Sequence, residues 1–227
     1  MIKFERFVLR TTDPDGARGF YAKILGHDRS VICPLYERAL ARGARPHWLG
    51  HLGVEDAERA ATALVERGGT RLGPTLPTGD GGQVVVLRDP GGAVLAVATR
   101  LQKSSDTGVL WHVLNTNDTA RATVNYAEVF GWELTGRLDL GAHGVFQQFA
   151  WHAGGDNVGA VGDIAARPGV HSHWLFFFEV EALDRAMEAI RGAGGSVIES
   201  TTLPNGQCVC VCDDPQGAAF ALWTRAA

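Results

Sequence analysis

The chain opens on alternating apolar and polar positions from Phe4 to Thr11, the period-two signature of a strand with one buried face. Asp13 and Pro14 then supply an N-cap and a first helical position. Ala17, Phe20, Tyr21, Ile24 and Leu25 share one helical face, and Gly26 supplies the stop. The same order returns after residue 108, where a strand pattern leads to Asp118 and a helix carrying Ala122, Tyr126, Val129 and Phe130. Two further amphipathic stretches align Ala57, Ala60, Ala61, Leu64 and Val65, and Leu183, Ala186, Met187 and Ile190, each before a double glycine. Strand runs close both halves, Val84 to Leu87 with Val94 to Ala98 about D-P-G-G, and Val209 to Val211 with Ala219 to Trp223 about D-P-Q-G. The pattern predicts strand, helix, then strands, repeated.

The repetition is also literal. H-W-L-G-H-L-G-V-E-D-A-E-R-A from His47 matches H-W-L-F-F-F-E-V-E-A-L-D-R-A from His173, and D-P-G-G-A-V-L-A-V-A-T-R from Asp89 matches D-P-Q-G-A-A-F-A-L-W-T-R from Asp214. In the first halves, Asp13, Ala17, Tyr21 and Gly26 fall opposite Asp118, Ala122, Tyr126 and Gly131 without a gap. Duplication explains this most simply. The polar stretch from Leu101 connects the copies and places the boundary near Ser105, giving domains 1–104 and 105–227. Only about twenty residues separate Gly26 from His47, whereas Gly131 to His173 is twice as long, so the first module of copy one has lost its middle hairpin.

Composition narrows the function classes. With 227 residues, 45% hydrophobic and 20% charged, the chain is globular and long enough for two domains. A net charge of −4 from dispersed charges excludes a basic stripe that would track a phosphate backbone, so no nucleic acid is expected. No apolar run is long enough to span a bilayer and no leader pattern follows Met1, so a cytoplasmic, membrane-free protein is expected. Cys208, Cys210 and Cys212 crowd one strand, with Cys33 far away. Residues two apart on a strand lie roughly 6.6 Å apart, which favours packed thiols over a disulfide framework or a thiolate metal site.

The stretches T-T-D-P-D-G-A-R-G-F-Y-A-K-I-L-G, N-Y-A-E-V-F-G-W, P-H-W-L-G-H-L-G-V and D-P-Q-G-A-A-F-A-L-W together resemble the vicinal oxygen chelate superfamily, the glyoxalase, bleomycin-resistance and extradiol-dioxygenase fold, and in particular its tandem glyoxalase-like hydroxylase branch. The resemblance implies an α+β protein of two tandem domains, each of paired βαβββ modules forming a half-open barrel, the first module of domain 1 being shortened. It implies less about reaction, since this fold hosts lyases, isomerases, dioxygenases, thiol transferases and drug-sequestering proteins. In metal-dependent members a histidine on the first strand and a glutamate on the last supply ligands. Here those places hold Arg6 and Trp111, Leu49 and Leu175, and Ala96 and Ala221, with no carboxylate in Ser30 to Pro34 or Asn157 to Val161. None of these binds a divalent cation, so the standard triad is rejected and no cofactor is expected.

Alternation then gives the residues expected to face each cavity. Copy one presents Arg6, Arg10 and His51, a cationic set that either holds a carboxylate or phosphate or lies solvated at a surface. Copy two presents Trp111, Asn115, Phe177, Glu179 and Trp223, an aromatic slot for a planar ligand or an ordinary aromatic core. Glu179 is the candidate acid–base residue. His47, His112 and His173 read as structural, and His152 as the histidine nearest the pocket rim. Three functions stay open: a metal-free small-molecule binder; a glyoxalase-type lyase, isomerase or hydrolase using Glu179 or a divalent metal at an unusual site; and a non-catalytic scaffold, as monomer or homodimer.

Overall fold

The computed structural model describes residues 1–26, 31–101, 108–203 and 206–224. Copy one runs β1 (Phe4–Thr11), α1 (Pro14–Leu25), β2 (Val31–Pro34), a single turn α2 (Glu37–Leu40), β3 (His47–Gly53), α3 (Ala57–Glu66), β4 (Thr70–Arg71), β5 (Leu76–Pro77), β6 (Gln83–Arg88) and β7 (Val94–Ala98). Copy two runs β8 (Val109–Asn115), α4 (Thr119–Phe130), β9 (Glu133–Asp139), β10 (Val145–Ala150), β11 (Gly159–Gly162), β12 (His173–Glu179), α5 (Leu183–Gly192), β13 (Ser196–Thr202), β14 (Cys208–Asp213) and β15 (Ala219–Trp223). Helices α1, α3 and α4 begin where aspartate oxygens satisfy their first amides. Asp13 accepts from Gly16 N at 3.0 Å, Asp56 from Arg59 N at 3.0 Å and Asp118 from Arg121 N at 2.9 Å. Gly26 and Gly131 close α1 and α4 with φ of 75° and 73°, a left-handed cap that favours glycine.

The strands form one seven-stranded sheet, in the order β2-β1-β3-β7-β6-β4 with β5 also on β6, and one eight-stranded sheet, β13-β14-β15-β12-β8-β11-β10-β9. The protein is α+β, with two open sheets built from repeated βαβββ-type modules. β2 runs parallel to β1 as β11 runs parallel to β8. The β9–β10 hairpin has no counterpart among the described residues of copy one, which accounts for the shortened first module. The boundary near Ser105, like Ser30, lies outside the described residues.

By packing, the chain divides into two compact units: Met1–Arg6, Gly50–Ser105 and His112–Trp174 form the first, and Phe7–Leu49, Asp106–Trp111 and Leu175–Ala227 the second. Each unit therefore joins one module from each copy. In the first, α3 and α4 pack together and Leu52, Leu64, Val85, Leu87, Leu95 and Val97 are fully buried. An aromatic cluster completes this core, with Trp132 stacked on Phe149 at 4.7 Å and Phe4 edge-on to Trp174 at 5.0 Å. Glycine is required at 159, where a Cβ would stand 2.2 Å from His112 O and 2.6 Å from the Phe149 ring. In the second unit α1 packs on α5, with Phe20 on Phe220 at 6.0 Å and Trp48 on Phe178 at 4.9 Å.

Three positions depart from helical periodicity. Val65, expected on the apolar face of α3, is exposed beside the fully buried Leu64, at the edge of that face one residue before the helix ends. On α4 the buried face includes Thr123 and Asn125 as well as the apolar residues. Thr123 is satisfied locally, its hydroxyl donating to the Thr119 and Ala120 carbonyls at 3.0 Å.

Candidate functional site

In the second unit, β12 and β15 run parallel with Phe177 opposite Ala221 and Glu179 opposite Trp223. Side chains alternate, so Leu175, Phe177, Glu179, Ala221 and Trp223 share one face. Phe178 and Phe220 take the other, against Trp48 and Phe20. Trp111 reaches the first face from β8, its ring 6.3 Å from that of Trp223 and within 19° of parallel. Both indoles are half-buried and Phe177 is buried. The Trp223 Nε1 is sealed from solvent and has no hydrogen-bond partner among the described residues. A buried donor left in this state costs about 1–3 kcal/mol. Glu179 is half-buried at the end of β12, where its backbone N–H donates to Gly108 O at 3.0 Å. The structure thus brings together four of the sequence candidates: Trp111, Phe177, Glu179 and Trp223.

The remaining candidates have separate partners. In the first unit Arg6 pairs with Asp80 at 3.7 Å, and His51 is buried on β3 opposite Ala96. Asn115 is buried beside His173, its Nδ2 lying 3.1 Å from Nε2 of that ring. The His173 Nδ1 lies 2.8 Å from His171 O and must donate to it, which leaves Nε2 to accept from Asn115. Burial lowers the His173 pKa, keeping the ring neutral for this role. In the second unit the Arg10 guanidinium lies over Tyr36, 5.4 Å from the ring centre. Arg6 and Arg10 therefore engage different partners. His152 is exposed, with Nδ1 2.9 Å from Ala153 O.

The places that hold metal in relatives of this fold do not fit a cation here. Trp111, Leu175 and Ala221 carry no donor that coordinates a divalent ion, nor do Arg6, Leu49 and Ala96. Among the described residues no three His, Cys, Asp or Glu side chains are grouped as metal ligands would be. Cys210 and Cys212 are buried with Sγ atoms 3.2 Å apart, and Cys208 is exposed.

Sequence reasoning missed a buried relay that occurs once in each unit. In the first, Trp174 Nε1 donates to Tyr126 OH at 3.1 Å, Tyr126 OH donates to Asp89 Oδ2 at 3.0 Å, and Asp89 Oδ1 accepts from Ala93 N at 2.8 Å. In the second, Trp48 donates to Tyr21 at 3.0 Å, Tyr21 to Asp214 at 3.2 Å, and Asp214 accepts from Ala218 N at 2.8 Å. Burial, then the neighbouring carboxylate, raises both tyrosine pKa values, so each hydroxyl keeps its proton and donates. The matching tyrosine, aspartate and tryptophan positions in the repeat were the available signal.

With this geometry in place, comparison with known proteins fixes the class. Residues 108–222, just over half of the chain, match the Glyoxalase/Bleomycin resistance protein/Dioxygenase superfamily, and the chain belongs to that superfamily. Over 94% of its length it is 28% identical to "Putative glyoxylase CFP32" of Mycobacterium bovis, covering 91% of that protein. Solved structures share the fold at lower identity. The 2,3-dioxygenase LapB from Pseudomonas sp. KL28 aligns with a TM-score of 0.63 at 15% identity, over 99% of this chain and 92% of that one. The Mn(II)-bound glyoxalase from Novosphingobium aromaticivorans aligns with a TM-score of 0.59 at 14% identity, over 98% and 81%. Among the described residues no helix is long and apolar enough to cross a membrane.

Proposed function

We propose that this protein binds a small planar organic molecule between Trp111 and Trp223, without the metal triad of its superfamily. The observation that carries the reading is the buried Trp223 N–H, without a partner among the described residues, beside a near-parallel indole. Two stacked contacts need a gap of about 7 Å between planes. The ring centres lie 6.3 Å apart with the planes 19° from parallel, so a flat guest seated between them requires the indoles to separate. An oxygen on the guest's edge, as in a phenol or aromatic carboxylate, would accept from the indole N–H. Phe177 supplies apolar floor, and Glu179, opposite Trp223 in the ladder, supplies a carboxyl group at the rim. That last placement supports a second reading, in which Glu179 moves a proton of the bound molecule and the protein is a metal-independent lyase or isomerase.

Titration with benzoate, catechol and 1-naphthoate, followed by tryptophan fluorescence in the presence of a chelator, tests the first reading. Saturable quenching is expected, with Trp223→Phe weakening it about tenfold through loss of one buried hydrogen bond and Trp111→Ala weakening it further. Affinity that both variants leave unchanged, or that appears only when divalent metal is added, sinks the proposal. Glu179→Gln separates the readings, because a binder keeps its affinity whereas an enzyme keeps affinity and loses turnover.

A further inference from the structure

A second site lies in the first unit, whereas Trp111 and Trp223 belong to the second. A cavity of about 310 Å³ opens between the turn after β6 and the start of α4, lined by Asp89, Gly91, Asn117, Asp118, Arg121 and Asn125. Its floor is buried and polar, because Asp89 and Asn125 are only 4% and 7% exposed. The Asn125 Nδ2 has no hydrogen-bond partner among the described residues. Its rim is charged in both senses, with Arg121 and Asp118 exposed on the first turn of α4.

The duplication shows that this opening is not a necessity of the fold. In the corresponding place in the second unit, Phe20 occupies the position of Asn125, Gln216 that of Gly91 and Gly16 that of Arg121. The Phe20 ring is buried there against Tyr21 and Phe220, at 5.0 and 6.0 Å. The relay of tyrosine, aspartate and tryptophan is the same in both units, so the scaffold is constant and only the lining differs. Exchanging a buried phenyl for an asparagine with an unsatisfied amide forfeits apolar burial and adds an unmade hydrogen bond. A scaffold with no use for the site would keep the phenyl group.

We propose that this pocket binds a neutral, hydroxyl-rich molecule about the size of a monosaccharide. Hydroxyls both donate and accept, so they can serve as acceptors for the Asn125 amide and for the N–H groups of Arg121 other than the Nη2 that donates to Arg67 O at 3.1 Å, and as donors to the Asp118 carboxylate, whose Oδ1 also caps Arg121 N. A compact anion is disfavoured, because it would meet two acidic side chains around a single guanidinium. A cation would leave the Asn125 N–H without an acceptor. The volume is at the small end for ligand pockets, which suits one sugar ring.

The test follows the side-chain amide of Asn125 by ¹H–¹⁵N NMR, assigned by its loss in Asn125→Leu, during separate titrations with D-glucose, myo-inositol and acetate. The expected result is a saturable shift with a neutral polyol in the millimolar range and none with acetate. Asn125→Phe, which installs the residue of the second unit, should abolish polyol binding seen by saturation-transfer difference while leaving thermal stability equal or higher. Arg121→Gly, an exposed change at the rim, should weaken binding about threefold or more and keeps the test valid should Asn125→Phe fold poorly. No shift up to 100 mM polyol, meaning that the pocket holds water only, overturns the proposal. A shift with acetate alone, or binding unaltered in Asn125→Phe or Arg121→Gly, also overturns it.

Discussion

Acidification should weaken this protein through one residue, His112. Its ring is buried in the first unit, stacked on Phe4 at 5.5 Å and edge-on to Trp151 at 5.0 Å, with Nδ1 donating to Val158 O at 2.8 Å. Burial pushes its pKa down to about 4, against the opposing pull of the Val158 carbonyl. An unfolded histidine titrates near 6.5. Between those values the unfolded chain holds a proton that the folded chain refuses, so stability is complete above about pH 6.5 and falls as pH drops toward 4. The difference of about 2.5 units corresponds to about 3 kcal/mol, a large share of a typical stability of about 5–15 kcal/mol. Urea unfolding of wild type and His112→Phe at pH 7.5, 5.5 and 4.0, followed by tryptophan fluorescence, isolates this effect, because the other titrating groups cancel in the difference. The variant lacks the bond to Val158 and should be the less stable at pH 7.5. Its deficit should shrink by about 3 kcal/mol by pH 4, with most of the change between pH 6 and 4.5. Parallel stability curves across that range would refute the assignment of the acid sensitivity to His112.

Tyr126→Phe removes the hydroxyl that joins Trp174 to Asp89, leaving two buried groups each short of one partner, and should cost about 2–4 kcal/mol in urea unfolding. A loss under about 0.5 kcal/mol would mean that the relay does not hold the turn. Among the cysteines, exposed Cys208 should react with iodoacetamide in the native protein, while Cys210 and Cys212 should be alkylated only after unfolding. Mass mapping that found Cys210 or Cys212 modified at the native rate of Cys208 would contradict their burial.

Much of the fold was legible because short-range rules settle it. The Asp13 and Asp118 caps, the Gly26 and Gly131 stops and the constant offset between copies each depend on residues a few positions apart. Even the lack of a β9–β10 counterpart among the described residues of copy one could be read, since the span from Gly26 to His47 is half as long as that from Gly131 to His173. The relay was not legible, because its hydrogen bonds join a tyrosine of one copy to an aspartate of the other, and no local pattern encodes that pairing. Alternation identified the face on which Trp111 and Trp223 meet, but their separation depends on strand geometry that alternation does not contain. The same alternation put Arg6, Arg10 and His51 on one face, but the partners Asp80 and Tyr36 come from distant stretches that alternation does not reach. Asn125 was visible only as a mismatch with Phe20, a contrast that acquires meaning once the helix is seen to bury that position.

The composition of the compact units bears on the ancestry of the chain. Each unit takes one module from each copy, so a polypeptide holding a single copy would contain half of two cores and a complete version of neither. Such a chain could finish its folding only with a second identical chain, trading modules about a twofold axis. Carrying both copies in one chain makes that encounter an event within a single molecule. Two copies in one chain need not be identical, so one relay carries a phenyl lining and the other a polar pocket.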